Sequence, residues 1–243
     1  MTRRRWIADE VSGDHAALTG EHAHHLVRVL RASIGQEFDI ATENAVRCAR
    51  ITHLSEDRVE FDLGEEVSSR ELAEITLLLA VFKFDRMEWA IEKCTELGVA
   101  RILPMIAQRT DKHLAAAATK RVERWQRIAL QAAEQSRRAT PPEIAAPLKF
   151  SDALKFQAPL RIVLAESEEQ VLLRDVVKPL TKHDAADAKI ALAIGPEGGW
   201  TEDELQSFRK AGWISSSLGS TILRAETAAI AATAVAAANL LSS

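Results

Sequence analysis

Two short segments hold residue types from which a small-molecule pocket with acid–base chemistry can be built. The first, Ile194-Gly195-Pro196-Glu197-Gly198-Gly199-Trp200, gathers glycines around one carboxylate. Glycine lets a backbone turn tightly and approach a ligand closely, and Glu197 puts an anionic group in the bend. The second, Leu218-Gly219-Ser220-Thr221-Ile222-Leu223-Arg224-Ala225-Glu226-Thr227-Ala228, sets small and apolar groups beside a charged pair, Arg224 and Glu226. Its apolar residues can sandwich a purine while backbone amides and carbonyls read the purine edge. Each segment also has a plainer reading. The first can be a tight strand-to-helix turn. The second can be an ordinary helix start, where the dipole favours a glutamate. Neither is a common phosphate cradle: the chain has no G-x-G-x-x-G after its first α/β strand and no G-x-x-x-x-G-K-[ST]. It also has no G-x-S-x-G nucleophile elbow.

The apolar pattern names the elements that must position these loops. From Ile75 onward, apolar runs alternate with amphipathic stretches. Ile75–Phe82 is a continuous apolar run, as expected for a strand buried on both faces. Asp85 is expected as a helix N-cap with Glu88 as its capping-box partner, and Gly98 as the stop. Strands are expected around Arg101–Ile106, Leu160–Ala165, Ile190–Ile194 and Trp213–Leu218. Helices are expected over Lys120–Arg138, from a second capping box at Thr201 and Glu204 to Gly212, and from Ala225 to the end. Trp125 falls on the apolar face of its helix and reads as core. This alternation implies an α/β domain with a mainly parallel sheet. Before Gly64–Arg70 the rhythm differs. Phe38–Ala41, Val46–Ile51 and Val59–Leu63 alternate with period two, with Asn44, Ser55-Glu56-Asp57 and Gly64 between or after them, which suggests a small β-barrel or sandwich. One helical stretch, about His22–Arg31, interrupts it. The expected division is residues 1–68 and 69–243.

Bulk properties narrow the class. The chain has 243 residues, 47% of them hydrophobic and 27% charged, which suits two globular domains. Cys48 and Cys94 follow no metal or redox spacing, and no apolar stretch follows Arg3-Arg4-Arg5, so a reduced, cytoplasmic setting is expected. Ala228–Leu241 is too short to span a bilayer, so no membrane is expected. His22, His24 and His25 lack a nearby cysteine or spaced carboxylate, so helix packing or RNA contact is expected rather than a metal. The net charge of −4 excludes a protein that coats nucleic acid by bulk charge. Any RNA contact must come from local clusters. Residues 1–70 hold 9 Lys/Arg against 13 Asp/Glu.

The two loops resemble the closing motifs of the RsmE family, 16S ribosomal RNA (uracil-N3)-methyltransferases of the SPOUT superfamily. The resemblance extends in the same order to His24-His25-Leu26-Val27-Arg28-Val29-Leu30-Arg31, to Asp85–Gly98 and to Gln131–Arg138. The chain departs from it at Lys83–Glu88, where an acid and an arginine replace some lysines or glycines, and at Ala225, where the usual motif has threonine. The resemblance implies a trefoil-knotted parallel-sheet methyltransferase domain preceded by a small PUA-like β-barrel that binds RNA. It implies a homodimer and S-adenosylmethionine as cofactor. That cofactor is expected against Leu164, Ala165, Glu166, Ile194, Gly195, Pro196, Glu197, Gly198, Gly199, Leu218, Gly219, Ile222, Leu223, Arg224 and Thr227.

Methyl transfer from a sulfonium to nitrogen is an in-line displacement that needs no metal. Uracil N3 carries a proton, so a base removes it or a cation stabilises the anion. Arg224 is the candidate cation. Glu226 and Glu197 are candidate bases, although either can equally orient Arg224 or the cofactor. N3 lies on the pairing edge, so the target base must be unpaired or flipped. Candidate RNA contacts are Arg3, Arg4, Arg5, His25, Arg28, Arg31, Lys83, Arg109, Gln135 and Arg138, with Lys112 extending the patch. The competing expectations are ribose 2′-hydroxyl methylation, a non-catalytic RNA-binding assembly factor and a small-molecule nucleotide enzyme.

Overall fold

The computed structural model describes residues 4–42, 45–67, 74–178 and 189–241. It divides into two compact units, Met1–Arg70 with Ala133–Pro141, and Glu71–Ala132 with Pro142–Ser243.

The first unit is a six-stranded mixed sheet. Its strands are β1 Arg5–Ile7, β2 Glu10–Ser12, β3 His15–Thr19, β4 Glu37–Ala41, β5 Val46–Leu54 and β6 Arg58–Glu66, in the order β1-β4-β5-β6-β3-β2. β1 runs parallel to β4, and the other neighbours are antiparallel. Period-two alternation places Phe38, Ile40, Ile51, Val59 and Phe61 in one core. Gly64 lies inside β6 and does not end it. A Cβ there would sit 3.1 Å from the Cys48 carbonyl oxygen, so the bare backbone is what fits. Helix α1, Gly20–His24, widens into a π turn at His25–Val29. The helical stretch ends there rather than at Arg31. Arg31 adopts φ +51°, and the Ala32 N–H closes back on the Leu26 carbonyl, as in a Schellman end. His22 lies between two carboxylates, with Nδ1 3.1 Å from Asp9 and Nε2 3.2 Å from Glu134. Burial raises the Glu134 pKa above the ordinary glutamate value, partly offset by His22.

The second unit is an all-parallel sheet. Its strands are β7 Glu74–Ala80, β8 Arg101–Ile106, β9 Glu143–Ile144, β10 Leu148–Lys149, β11 Leu160–Leu164, β12 Lys189–Ile194 and β13 Ile214–Ser216. The order is β10-β8-β7-β12-β11-β13, with β9 also on β8. Its helices are α2 Phe84–Glu96, α3 Lys112–Ala117, α4 Val122–Gln135, α5 Phe150–Ala153, α6 Leu173–Val177, α7 Glu202–Lys210 and α8 Ala225–Leu241. Both faces of β7 are buried. Ile75, Leu77 and Leu79 join a core with α2, α8 and Trp125, while Leu78 and Ala80 join a second with Trp200, Phe208 and Trp213.

Three local expectations differ from the structure. Helix α2 begins at Phe84 with Lys83 as its N-cap, two residues ahead of the expected Asp85. Glu88 does not close a capping box, because the Arg124 guanidinium takes both its oxygens at 2.6 and 2.8 Å. The long helix is shorter than Lys120–Arg138. It begins after a 3-10 turn at Ala118–Arg121 and ends before Arg137, whose φ is +60°. By contrast, the Thr201–Glu204 capping box on α7 forms as expected.

The alanines Ala229, Ala232 and Ala236 bring α8 close to α2 and the sheet, and Thr233 Oγ1 lies 3.5 Å from Cys94 Sγ. Burial pushes the Cys94 thiol up to about 12. A thiolate is the reactive form, so Cys94 is expected to resist thiol reagents at pH 8 until the protein unfolds. Mass spectrometry of labelled protein across a urea series checks this; full labelling of Cys94 in native buffer contradicts it.

Candidate active site

The loops at the carboxyl ends of the parallel strands enclose one cavity of about 640 Å³. Such loops are where open α/β sheets bind ligands, and the volume is in the range for small-molecule sites. Leu164, Ala165 and Glu166 come from the end of β11. Ile194, Gly195, Pro196, Glu197 and Gly199 follow β12. Leu218, Gly219, Ile222, Leu223 and Arg224 follow β13. Lys83 and Arg109 also reach the wall. Two expected contacts do not line it. Gly198 turns away, with its carbonyl accepting from Arg109 Nη1 at 2.7 Å, and Thr227 is exposed on α8.

Backbone shape sets this wall. A Cβ on Gly195 would come within 3.2 Å of the Trp200 ring, whose Nε1 donates to the Leu164 carbonyl at 2.9 Å. Gly199 has φ +67°, and a Cβ there would sit 3.1 Å from Glu166 Oε1. The two glycines therefore let the loops after β11 and β12 approach each other.

The charges are arranged differently from the expectation. Arg224 is exposed, with no side-chain partner among the described residues. The guanidinium that meets the carboxylates belongs to Arg86 on α2. Its Nη1 donates to Glu197 Oε1 at 2.8 Å, and its Nε is 3.8 Å from Glu226 Oε1. Glu226 is buried and stands behind the wall, with Oε2 lacking a hydrogen-bond partner among the described residues. Arg86 was not expected from the sequence, because its partners lie far along the chain; the only signal was its position in the departing Lys83–Glu88 segment. Four cations, Lys83, Arg86, Arg109 and Arg224, line the cavity against the carboxylates Glu166, Glu197 and Glu202. With Glu226 behind Arg86, the charges around the cavity nearly balance.

The other candidate RNA contacts lie in the first unit. Arg4, His25, Arg28, Arg31 and Gln135 are exposed. Arg5 donates to the Arg137 carbonyl, His25 packs 5.5 Å from the Trp6 ring, and Arg28 pairs with Glu56 at 2.8 Å. Burial lowers the Arg138 guanidinium to about 10, which leaves it charged at neutral pH. Arg3 lies outside the described residues. Among the described residues, no group of three or more His, Cys, Asp or Glu is placed to hold a metal, and no helix is long and apolar enough to cross a membrane.

Residues 69–237 match the RNA methyltransferase domain family, and residues 18–64 match the RNA methyltransferase PUA domain. Ribosomal RNA small subunit methyltransferase E of a Synechocystis species is 37% identical over 218 residues, covering 87% of this chain and 69% of that protein. The protein of the same name from Rickettsia conorii is 32% identical over 241 residues, covering 96% of this chain and 90% of its own. The chain belongs to the ribosomal RNA small subunit methyltransferase E family. A crystal structure of the Neisseria gonorrhoeae member, bound to S-adenosyl methionine, superposes with a TM-score of 0.80 at 30% identity, covering 96% of this chain and 95% of that one. The fold of this family member is therefore a PUA-type mixed sheet followed by a parallel-sheet methyltransferase domain. The cavity lies wholly in the methyltransferase domain.

Proposed function

We propose that the chain methylates N3 of a uridine in 16S ribosomal RNA of the small subunit, with S-adenosylmethionine as donor. The observation that carries this reading is the cavity formed by three strand-end loops, two of them glycine-bearing, in a chain whose relatives carry that ribosomal name. The wall fits the cofactor. Leu164, Ile194, Leu218 and Leu223 offer an apolar lining for a purine, Gly195 permits close backbone approach, and Glu166 and Glu197 offer acceptors for its polar groups. Bound there, the cofactor supplies an electrophilic methyl group. The chain's own residues then position the base, exclude water and present cations to the RNA.

The same reading includes several finer features. Residues 1–68 form the RNA-binding module and residues 69–243 the knotted catalytic module. The RNA contacts include Arg4, Arg5, His25, Arg28 and Arg31 on the first, Lys83 and Arg109 on the second, and Gln135 and Arg138 on the segment Ala133–Pro141 that packs with the first. The enzyme acts in the cytoplasm as a homodimer. In support of the dimer, α2 leaves Trp89 49% exposed, and α8, which packs against α2, is mostly alanine and other apolar residues around its circumference beyond its first turn. A helix apolar all round is one that is covered. Sedimentation distinguishes a dimer from a monomer.

The decisive experiment is transfer from labelled S-adenosylmethionine to small subunits lacking the modification, followed by nucleoside analysis. The expected product is 3-methyluridine. A ribose-methylated nucleoside would replace the atom assignment, and cofactor binding without any methylated nucleoside would remove the substrate assignment.

A further inference from the structure

We propose that Arg86 is the fixed cation of the cavity and stabilises the uracil anion through which N3 is methylated. The proposal rests on the uracil-N3 reading above. The N3–H bond must break before N3 has an electron pair to give. The proton passes to solvent water, and the pair left behind spreads onto O2 and O4. N3 then bonds to the methyl carbon with that pair, while the carbon–sulfur pair stays on sulfur. The anion and the sulfonium charge cancel. A directed donor at O2 or O4 lowers the barrier to this loss of the proton.

Arg86 is built for that task. It is the cavity cation held from two sides, by Glu197 after β12 and by Glu226 at the start of α8. Its side chain is 31% exposed in the wall, whereas Glu226 is 4% exposed and outside it. The substrate therefore meets the guanidinium before the buried carboxylate. Nη2 has no partner among the described residues, which leaves a donor to spare. The alternatives are less organised. Arg224 and Lys83 are exposed, and binding must order their long side chains, which costs rotamer entropy. Arg109 is exposed and held at one point, the Gly198 carbonyl. The same contacts turn Glu197 Oε1 toward Arg86.

The test compares Arg86→Met with wild type on small subunits carrying either uridine or 5-fluorouridine, whose N3 proton is more acidic. Cofactor affinity is read in parallel by calorimetry. The expected result is methyl transfer to uridine slowed by about 10²–10³-fold, with cofactor affinity within about threefold, since the wall's backbone and apolar contacts to the cofactor remain. The 5-fluoro substrate or a higher pH should restore the variant about tenfold or more, and the wild type much less. An equal loss on both substrates at every pH means that Arg86 only positions the loops and overturns the proposal, as does no loss at all. Arg86→Lys keeps the charge without the fork, and the same differential rescue is expected of it. If Arg86→Met does not fold, the absence of that rescue in Arg86→Lys overturns the proposal. A wild type that makes no 3-methyluridine defeats the uracil-N3 reading itself, which separates the two failures.

Discussion

Gly195→Val is expected to abolish cofactor binding while leaving the chain folded. Even the first carbon of the new side chain meets the Trp200 ring at 3.2 Å. That ring has little freedom to move. Its Nε1 is tied to the Leu164 carbonyl, and its faces pack against Phe150 and Phe208 with centroids 6.2 and 5.0 Å away. The strain is therefore relieved by displacing the turn that forms one cavity wall. Overpacking of this kind costs ~1–3 kcal/mol of stability. A loss of cofactor affinity of at least ~100-fold, about 2.7 kcal/mol, is expected. Calorimetric titration with S-adenosylmethionine beside a urea melt reads both quantities. A folded variant with unchanged affinity would remove this turn from the pocket.

The largest effect on stability is expected at Trp125. Its ring is fully buried on α4, 6.1 Å from the Phe84 ring, within the core shared by β7, α2 and α8. Trp125→Ala is expected to cost ~3–5 kcal/mol, because the cavity left behind collapses only in part. Trp125→Phe should cost less than half as much. The indole Nε1 has no hydrogen-bond partner among the described residues, and a buried donor without a partner carries a penalty of ~1–3 kcal/mol that phenylalanine lacks. Denaturation midpoints at matched m-values check the pair. Equal losses would mean that the indole N–H is satisfied in solution.

The sequence and the structure agree most closely where burial alone decides. β7 and β12 are apolar runs with both faces covered, and their existence follows from composition. The Thr201 capping box is equally local, since all its partners lie within one turn. Expectations fail where a distant residue takes over a local one. Asp85 and Glu88 have capping-box spacing, but Arg124, 36 residues away, takes the Glu88 carboxylate. The site follows the same rule. Most of the cavity wall is legible because two of its three strand-end loops are contiguous motif segments. The Arg86 pairing is not, because Glu197 lies 111 residues from Arg86 and the sheet order brings them together. β1 is likewise invisible as a strand. Its three residues become one only by pairing with β4 across the barrel.

The first unit is not one continuous stretch of chain, since it includes Ala133–Pro141. That segment carries Glu134 toward His22 and offers the Arg137 carbonyl to Arg5. A gene fusion joined near residue 70 would therefore inherit the strands without this segment and leave Glu134 in the other product without its histidine. Recombination can exchange this unit intact only with two further junctions, one on either side of residues 133–141. In a lineage, the two units are thus expected to be inherited together, and a chimera made with one crossover near residue 70 is expected to be less stable than either parent.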